Sequence, residues 1–313
     1  MSAARHPNRI IQERAVTPEE ILARPARALA QPLREQYFRD GYLGAPALID
    51  PSRLAQLNER SAHYVDESRF APGDRRFDVE PDHSAERPRL RRLNSPVDVD
   101  PVFWEFAARG PFVDIAEDLL GPDIKFHHAK LNYKWSGGGE GVQWHQDIQF
   151  WPHTNYDVLT IGVYLTDVSA DMAPMGVIPG SHAGPLYDLY DHALQWTGSI
   201  RDEDIPGIHV EQASYIAGPA GTITVHNCRS VHGSPRNWSD RPRPLLLCAY
   251  SAGDAMPITD LVAKTPHGDE IVRGQRARWA RFDPRPVLMP PDWGKIGHKS
   301  IFQHQQQERD SLT

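Results

Sequence analysis

The stretch IKFHHAKLNYKW, Ile124–Trp135, decides how the rest of the chain is read. It is short, rich in β-branched and aromatic residues, and reads as a strand. Segments of the same texture follow: DVLTIGVYLTDV (157–168), MGVIPGSH (175–182), GTITVHN (221–227) and RPLLLCAYSAG (243–253), punctuated by Gly, Pro, Asn and Asp. Many short strands with irregular loops predict an antiparallel sandwich or barrel, with a jelly roll as the leading form. The sequence has no strand–helix–strand alternation and no G-x-G-x-x-G motif, which disfavours a nucleotide-binding α/β sheet.

Upstream of residue 123 the pattern is mostly helical. TPEEILARPARAL opens on Thr17 as an N-cap, and Glu20 three residues later completes a capping box. PLREQYFRDGYLGAPALI predicts a helix, a turn at Gly41 and a short strand. Asp50 and Pro51 start another helix, and DPVFWEFAARGPFVDIAEDLLGP gives two more, broken at Gly110-Pro111 and stopped at Gly121-Pro122. The expected organisation is one domain over residues 1–313. A mostly helical part (1–122) packs on a β core (123–255), followed by an extension (256–313).

Of 313 residues, 34 are Lys or Arg and 41 are Asp or Glu, a net charge of −7 with no long basic run. Nucleic acid and anionic membrane surfaces are therefore not expected partners. No apolar stretch is long enough to span a bilayer, and MSAARHPNRIIQERAVTPEE lacks the apolar core of a signal peptide. Two cysteines, Cys228 and Cys248, do not make a disulfide framework. A cytoplasmic protein is expected, with a polar, frayed end at QQQERDSLT. RPRLRRLNSP (87–96), with four arginines after an acidic run, reads first as a solvated, charge-balanced loop and second as a clamp on an anionic substrate.

Chemistry concentrates in QWHQDIQFWPH, Gln143–His153. On a strand, residues two apart share a face, so His145 and Asp147 would project together as two adjacent metal ligands. By itself a His-x-Asp pair also suits a solvated strand. A third ligand is available in HNCRSVHGS, as His226 or His232; only His232 is followed by small residues, Gly-Ser, that leave room beside it. Two histidines and a carboxylate are the donor set of open, non-haem Fe(II) sites, whereas zinc favours Cys or a further His. His127 and His128 are adjacent and so should face opposite ways. Cys228 reads as a buried filler rather than a reactive thiol. Arg243 enters the apolar strand PLLLCAY, where a guanidinium needs an anionic partner and its fork suits a carboxylate. Arg241 is the local competitor, and a structural ion pair the plain alternative.

Taken in order, His145-x-Asp147, His232-Gly-Ser234 and Arg243 resemble the phytanoyl-CoA dioxygenase family of Fe(II)/2-oxoglutarate oxygenases. KLNYK, WHQDIQFWPHTNYDVLTIGVYLTDV and VIPGSH extend the likeness over roughly residues 33 to 253. The resemblance implies a mainly β fold with flanking helices around a double-stranded β-helix (jelly-roll, cupin-like) core. It also implies Fe(II), 2-oxoglutarate and O2, with His145, Asp147 and His232 on iron. Arg243 and Ser234 would hold the distal carboxylate of 2-oxoglutarate. Trp151, Asn132 and Lys130 would line or contact the co-substrate, while Trp151 also suits a core aromatic and Lys130 a surface position.

The implied reaction is hydroxylation of a small molecule of specialised metabolism, with release of succinate and CO2. Desaturation, ring closure and epimerisation are possible on the same centre. The family's halogenases carry a small residue in place of the carboxylate, so Asp147 favours hydroxylation. Two other classes fit the residues alone: a cupin-like metal-dependent isomerase or hydrolase, and a non-catalytic binding barrel. The sequence says nothing about oligomeric state, and substrate choice would fall to the N-terminal helices, residues 87–96 and the long segment GPLYDLYDHALQWTGSIRDEDIPGIHVEQ (184–212), read either as a lid or as a surface insertion.

Overall fold

The change of texture at residue 123 marks the entry into a β-sandwich. The computed structural model describes residues 16–71, 73–137, 141–260 and 265–296, together with Ile301, Phe302 and Gln305. The expectation about residues 1–15 as a leader lies outside these residues. So does most of QQQERDSLT, but its first residue, Gln305, is buried and bonds to Gly198 O and Gln143 N rather than fraying.

Among the described residues the strands are β1 (Tyr42–Ala45), β2 (Phe77–Val79), β3 (Leu90–Asn94), β4 (Ile124–Lys134), β5 (Val142–His145), β6 (Val158–Tyr164), β7 (Met175–Val177), β8 (Ser214–Ile216), β9 (Ile223–Asn227), β10 (His232–Ser234), β11 (Arg243–Ala252) and β12 (Ile271–Arg273). The large sheet runs β1-β9-β6-β11-β4-β3-β2, with β12 also paired to β4; the small sheet runs β5-β10-β7-β8, and every pairing is antiparallel. This is the jelly-roll architecture. The large sheet takes β1, β2 and β3 from the N-terminal part and β12 from the C-terminal extension.

The helices are α1 (Pro18–Leu22), α2 (Gln31–Asp40), α3 (Pro51–Glu67), α4 (Pro96–Val99), α5 (Pro101–Arg109), α6 (Pro111–Leu120) and α7 (Trp293–Ile296). Thr17 caps α1 in a reciprocal capping box with Glu20. Asp50 accepts from the amides of Ser52 and Arg53 at the head of α3. Gly41, at φ 79°, ends α2 in the left-handed conformation that glycine adopts without penalty.

Side-chain alternation separates the two faces of the large sheet. Leu131, Ile161, Val225, Leu246 and Tyr250 share the core with Phe103, Phe112 and Ala116 from α5 and α6. Tyr250 fixes that contact by donating to Ala107 O at 2.8 Å. The alternate positions on β4, His128, Lys130, Asn132 and Lys134, face the small sheet and line one pocket. Thr160, His226, Leu245 and Leu247 line it too. Gly162 lies on the same face, where a Cβ would come within 2.9 Å of Leu247.

Two expectations change. RPRLRRLNSP is largely an interior strand: β3 pairs with β4 over Arg92–Asn132, Leu93–Leu131 and Asn94–Lys130. Its Arg89, Arg91 and Arg92 are buried, and Arg91 is paired to Glu80 at 3.0 Å. The acidic run supplies Glu80 to Arg91 and Asp82 to Arg89, and Arg92 bonds to Asn132 instead of a carboxylate. His127 and His128 do not diverge. The β11–β4 register skips His127 between the Ala249–His128 and Tyr250–Phe126 pairs. A β-bulge puts an extra residue on one strand and breaks the strict alternation. The two rings lie with Nδ1 atoms 2.5 Å apart.

Candidate metal centre

β5 carries His145 at its last position, directly opposite His232 at the head of β10. The two strands can approach because Gly233 follows His232; a Cβ there would sit 2.9 Å from Val142 O. Asp147 is not on the strand, contrary to the expectation. The strand ends at His145, and Asp147 opens a 3₁₀ turn through Gln149. Gln146 between them stays extended while its buried amide bonds to Pro185 O, Arg229 O and Tyr187 N. Those three backbone partners pull the chain out of the sheet. The extended Gln146 still leaves His145 and Asp147 on one side.

His145, Asp147 and His232 each offer one ligand atom, all within 4.8 Å of one another. His145 Nδ1 lies 2.8 Å from Gln143 O and His232 Nδ1 lies 3.0 Å from Ser230 O. A carbonyl can only accept, so each Nδ1 carries the proton and each Nε2 presents a lone pair. Both Nε2 atoms are 3.7 Å from Asp147 Oδ1, too long for a hydrogen bond. The other oxygen is occupied: Thr160 Oγ1 donates to Oδ2 at 3.0 Å, and His226 Nε2 lies 3.2 Å from it. Thr160 and His226 face each other across the β6–β9 pairing, which aims both at the same atom. Oδ1 is therefore the carboxylate atom left for a cation.

The electrostatics agree with a ligand set. Burial penalises the Asp147 charge, but Lys130 nearby and the His226 bond to Oδ2 hold its carboxyl well below the usual range. Burial, with His226 and His145 nearby, keeps His232 well below the ordinary imidazole range and hence neutral. Three lone pairs converging without satisfying one another is what a divalent metal requires. The mixed imidazole–carboxylate set suits iron better than a closed zinc site.

Across the same pocket, Arg243 is 2% exposed, and its Nε and Nη1 have no partner among the described residues. Its guanidinium carbon is 5.6 Å from the ring centroid of Tyr164. The Tyr164 hydroxyl is itself fixed between Ile216 O and Met175 N. Arg241, the competitor, is exposed, with its Nε 3.7 Å from Asp240. Of the two, Arg243 is the one that lines the pocket. Ser234, Asn132, Lys130 and Trp151 also line the pocket. Asn132 Oδ1 accepts from Arg92 Nε at 2.8 Å, and Trp151 packs against His127 and His128 while belonging to a buried apolar cluster.

His127, His128 and His153 stay outside the ligand group; burial pushes His128 down to about 3 and His153 down to about 4. Burial holds the Cys228 thiol well above its usual range, as an inert filler requires. Segment 184–212 contributes no side chain to this pocket. It packs behind β5, with Ile200 N bonding to Trp144 O at 2.9 Å. Arg92 and Ser95, from the 87–96 stretch expected to bear on substrate, line the pocket, as do Ile301 and Phe302 from near the C-terminus, which the sequence reading missed. The arginine cluster was the only signal for the first, and Ile301 and Phe302 had none.

The model of the family described as Phytanoyl-CoA dioxygenase (PhyH) matches residues 37–245. A protein from Stutzerimonas stutzeri named probable alpha-ketoglutarate-dependent hypophosphite dioxygenase is 33% identical over 221 residues, covering 69% of this chain and 76% of that protein. L-proline trans-4-hydroxylase from Streptomyces griseoviridis is 29% identical over 234 residues, covering 69% and 84%. Among solved structures, EctD from S. alaskensis with 2-oxoglutarate and 5-hydroxyectoine superposes with a TM-score of 0.60. It is 21% identical and covers 88% of this chain and 94% of that one. Among the described residues no helix is long and apolar enough to cross a membrane.

Proposed function

The chain belongs to the phytanoyl-CoA dioxygenase family and is an Fe(II)- and 2-oxoglutarate-dependent oxygenase; we propose that it hydroxylates a small-molecule substrate in the cytoplasm. In this reading the whole chain acts as one oxygenase domain, and His145, Asp147 and His232 hold the iron. The observation that carries the assignment is the division of Asp147: Oδ2 is taken by Thr160 and His226, and Oδ1 faces the two Nε2 lone pairs. When bound, iron couples O2 and the oxidative decarboxylation of 2-oxoglutarate, to succinate and CO2, to oxidation of a substrate C–H bond.

The protein's own residues bind, orient and exclude water. Arg243, buried and unpaired, receives the distal carboxylate of 2-oxoglutarate, and Ser234 beside it hydrogen-bonds the same end. Asn132, held by Arg92, offers a polar contact along the co-substrate. Leu245, Leu247, Phe150, Trp151 and Phe302 supply the apolar wall that keeps water out. The relatives named for hypophosphite and L-proline fit a small substrate.

Purified protein given Fe(II), ascorbate and 2-oxoglutarate in air is expected to form succinate slowly without added substrate. No succinate, together with no 2-oxoglutarate binding to the anaerobic Fe(II) form, sinks the assignment. A second expectation follows from the support of Asp147. His226→Leu removes one of the two donors on Oδ2 and should weaken Fe(II) binding by about 10- to 100-fold, with the fold intact by circular dichroism. Unchanged affinity in an anaerobic Fe(II) titration would remove His226 from that supporting role.

A further inference from the structure

Arg92 leaves one end of its guanidinium unused inside the pocket. It is 6% exposed; Nε donates to Asn132, whereas Nη2 is buried with no partner. Among the described residues no carboxylate comes within 4.0 Å of its nitrogens. Asp78, its register partner on β2, attracts it from a longer distance and does not line the pocket, while Asp147 attracts both Arg92 and Lys130 from the metal side, beyond ion-pair reach. Lys130 lies two residues along β4 from Asn132, on the same inner face, and has no hydrogen-bond or ion-pair partner among the described residues. Burial pushes Arg92 down to about 10 and lowers Lys130 as well, so both charges stand against a desolvation cost. The Phe302 ring, 5.3 Å from the Arg92 guanidinium carbon, closes that side from water.

The pocket's charges do not balance without a further anion. Among the described residues its lining has the cations Arg92, Lys130, Lys134 and Arg243 and one carboxylate, Asp147. Fe(II), Asp147 and the two carboxylates of 2-oxoglutarate leave one net negative charge, which Arg243 offsets. Lys134 is turned to the carbonyls of Ser234 and Pro235. Arg92 and Lys130 remain. They are also displaced from the co-substrate end: Arg243 pairs with Lys134, and Lys130 lies four residues further along β4, roughly 13 Å at strand rise. We infer that Arg92 and Lys130 form a substrate subsite for an oxyanion, so that the substrate carries a carboxylate or phosphonate-type group. This rests on the oxygenase reading above.

The test uses full-length Fe(II) protein saturated with 2-oxoglutarate under nitrogen, and titration calorimetry with two matched pairs of probes. These are methylphosphonate with its neutral dimethyl ester, and N-acetyl-L-proline with N-acetyl-L-prolinamide. At least one anion should bind at about 10 mM or tighter, and its neutral partner at least about tenfold more weakly. Lys130→Gln and Arg92→Gln should each weaken that anion by about tenfold or more; the Kd for 2-oxoglutarate should move by less than about threefold in Lys130→Gln, and in Arg92→Gln, which frees Asn132, by clearly less than in Arg243→Gln. Arg92→Lys, which keeps the charge and loses the fork, should fall between. Lys130→Gln carries the test if loss of the Arg92–Asn132 bond prevents folding. Equal affinity within both pairs, or no anion binding below about 10 mM, overturns the subsite. A loss of 2-oxoglutarate affinity in Arg92→Gln as large as in Arg243→Gln overturns it too, by making Arg92 a co-substrate clamp. Failure of the wild-type protein to bind 2-oxoglutarate overturns the oxygenase reading instead.

Discussion

The His145→Ala and His232→Ala proteins are expected to retain no stoichiometric Fe(II) after anaerobic reconstitution, and to lose succinate production by on the order of a thousandfold or more. Removal of a direct ligand must cost more than the 10- to 100-fold typical of its supporting residues. The two rings face each other across one strand pair, and neither Nε2 has another acceptor or donor to serve. Their loss removes a lone pair together with one ring-to-carbonyl bond, to Gln143 O or Ser230 O, and leaves the strand pairing itself in place, so circular dichroism should report a folded protein. Substituting Asp147 is a less clean experiment, because it also strands the Thr160 and His226 donors in a buried site. Iron content and 2-oxoglutarate turnover measured on one preparation decide the matter. A wild-type rate in either alanine variant would remove that histidine from the centre.

Arg243→Gln is the second large effect, and its signature is a split between stability and function. The guanidinium is buried with two nitrogens unpaired, so in the protein alone it is a desolvated charge without an anion. Replacing it should leave the melting temperature unchanged or raised. With 2-oxoglutarate the sign reverses: loss of a buried charge-assisted contact costs about 2–4 kcal/mol, a rise of roughly 30- to 1,000-fold in the concentration required. Fe(II) binding should scarcely move. Wild-type protein should gain thermal stability from 2-oxoglutarate, and the variant should not. A variant that melts markedly lower with an unchanged requirement for 2-oxoglutarate would make Arg243 a structural residue. Arg241→Gln is the control; its surface position predicts no effect.

Much of this arrangement was legible before any coordinates. Punctuated short strands announced the jelly roll, and the family resemblance carried by His145-x-Asp147, His232-Gly-Ser234 and Arg243 implied the residues that the fold brings to one pocket. The isomerase, hydrolase and non-catalytic barrel alternatives, open on residues alone, fall with the family match. Other features were hidden because they depend on side chains meeting across strands. Asp147 reads as a strand residue until Gln146 is seen bonding to three backbone groups far along the chain. Adjacent histidines should diverge, and a bulge at His127 brings them together. The arginine cluster reads as surface because its partner Glu80 and the strand it joins, β4, are only neighbours in space.

By itself, the sequence determined the fold class, the two histidines and carboxylate that form the candidate centre, and Arg243 as the residue needing an anion. Periodicity and the cost of burying a charge can be read along a chain, and the resemblance to a known family joined His232 and Arg243 to the His145–Asp147 pair. Tertiary structure alone decided which oxygen of Asp147 is free, that His226 bonds to Asp147 from across the sheet, and that Arg92 and Lys130 face into the pocket with no ion-pair partner among the described residues. Each of these turns on which donors lie within hydrogen-bond reach across paired strands, and that distance exists only once the strands are in register.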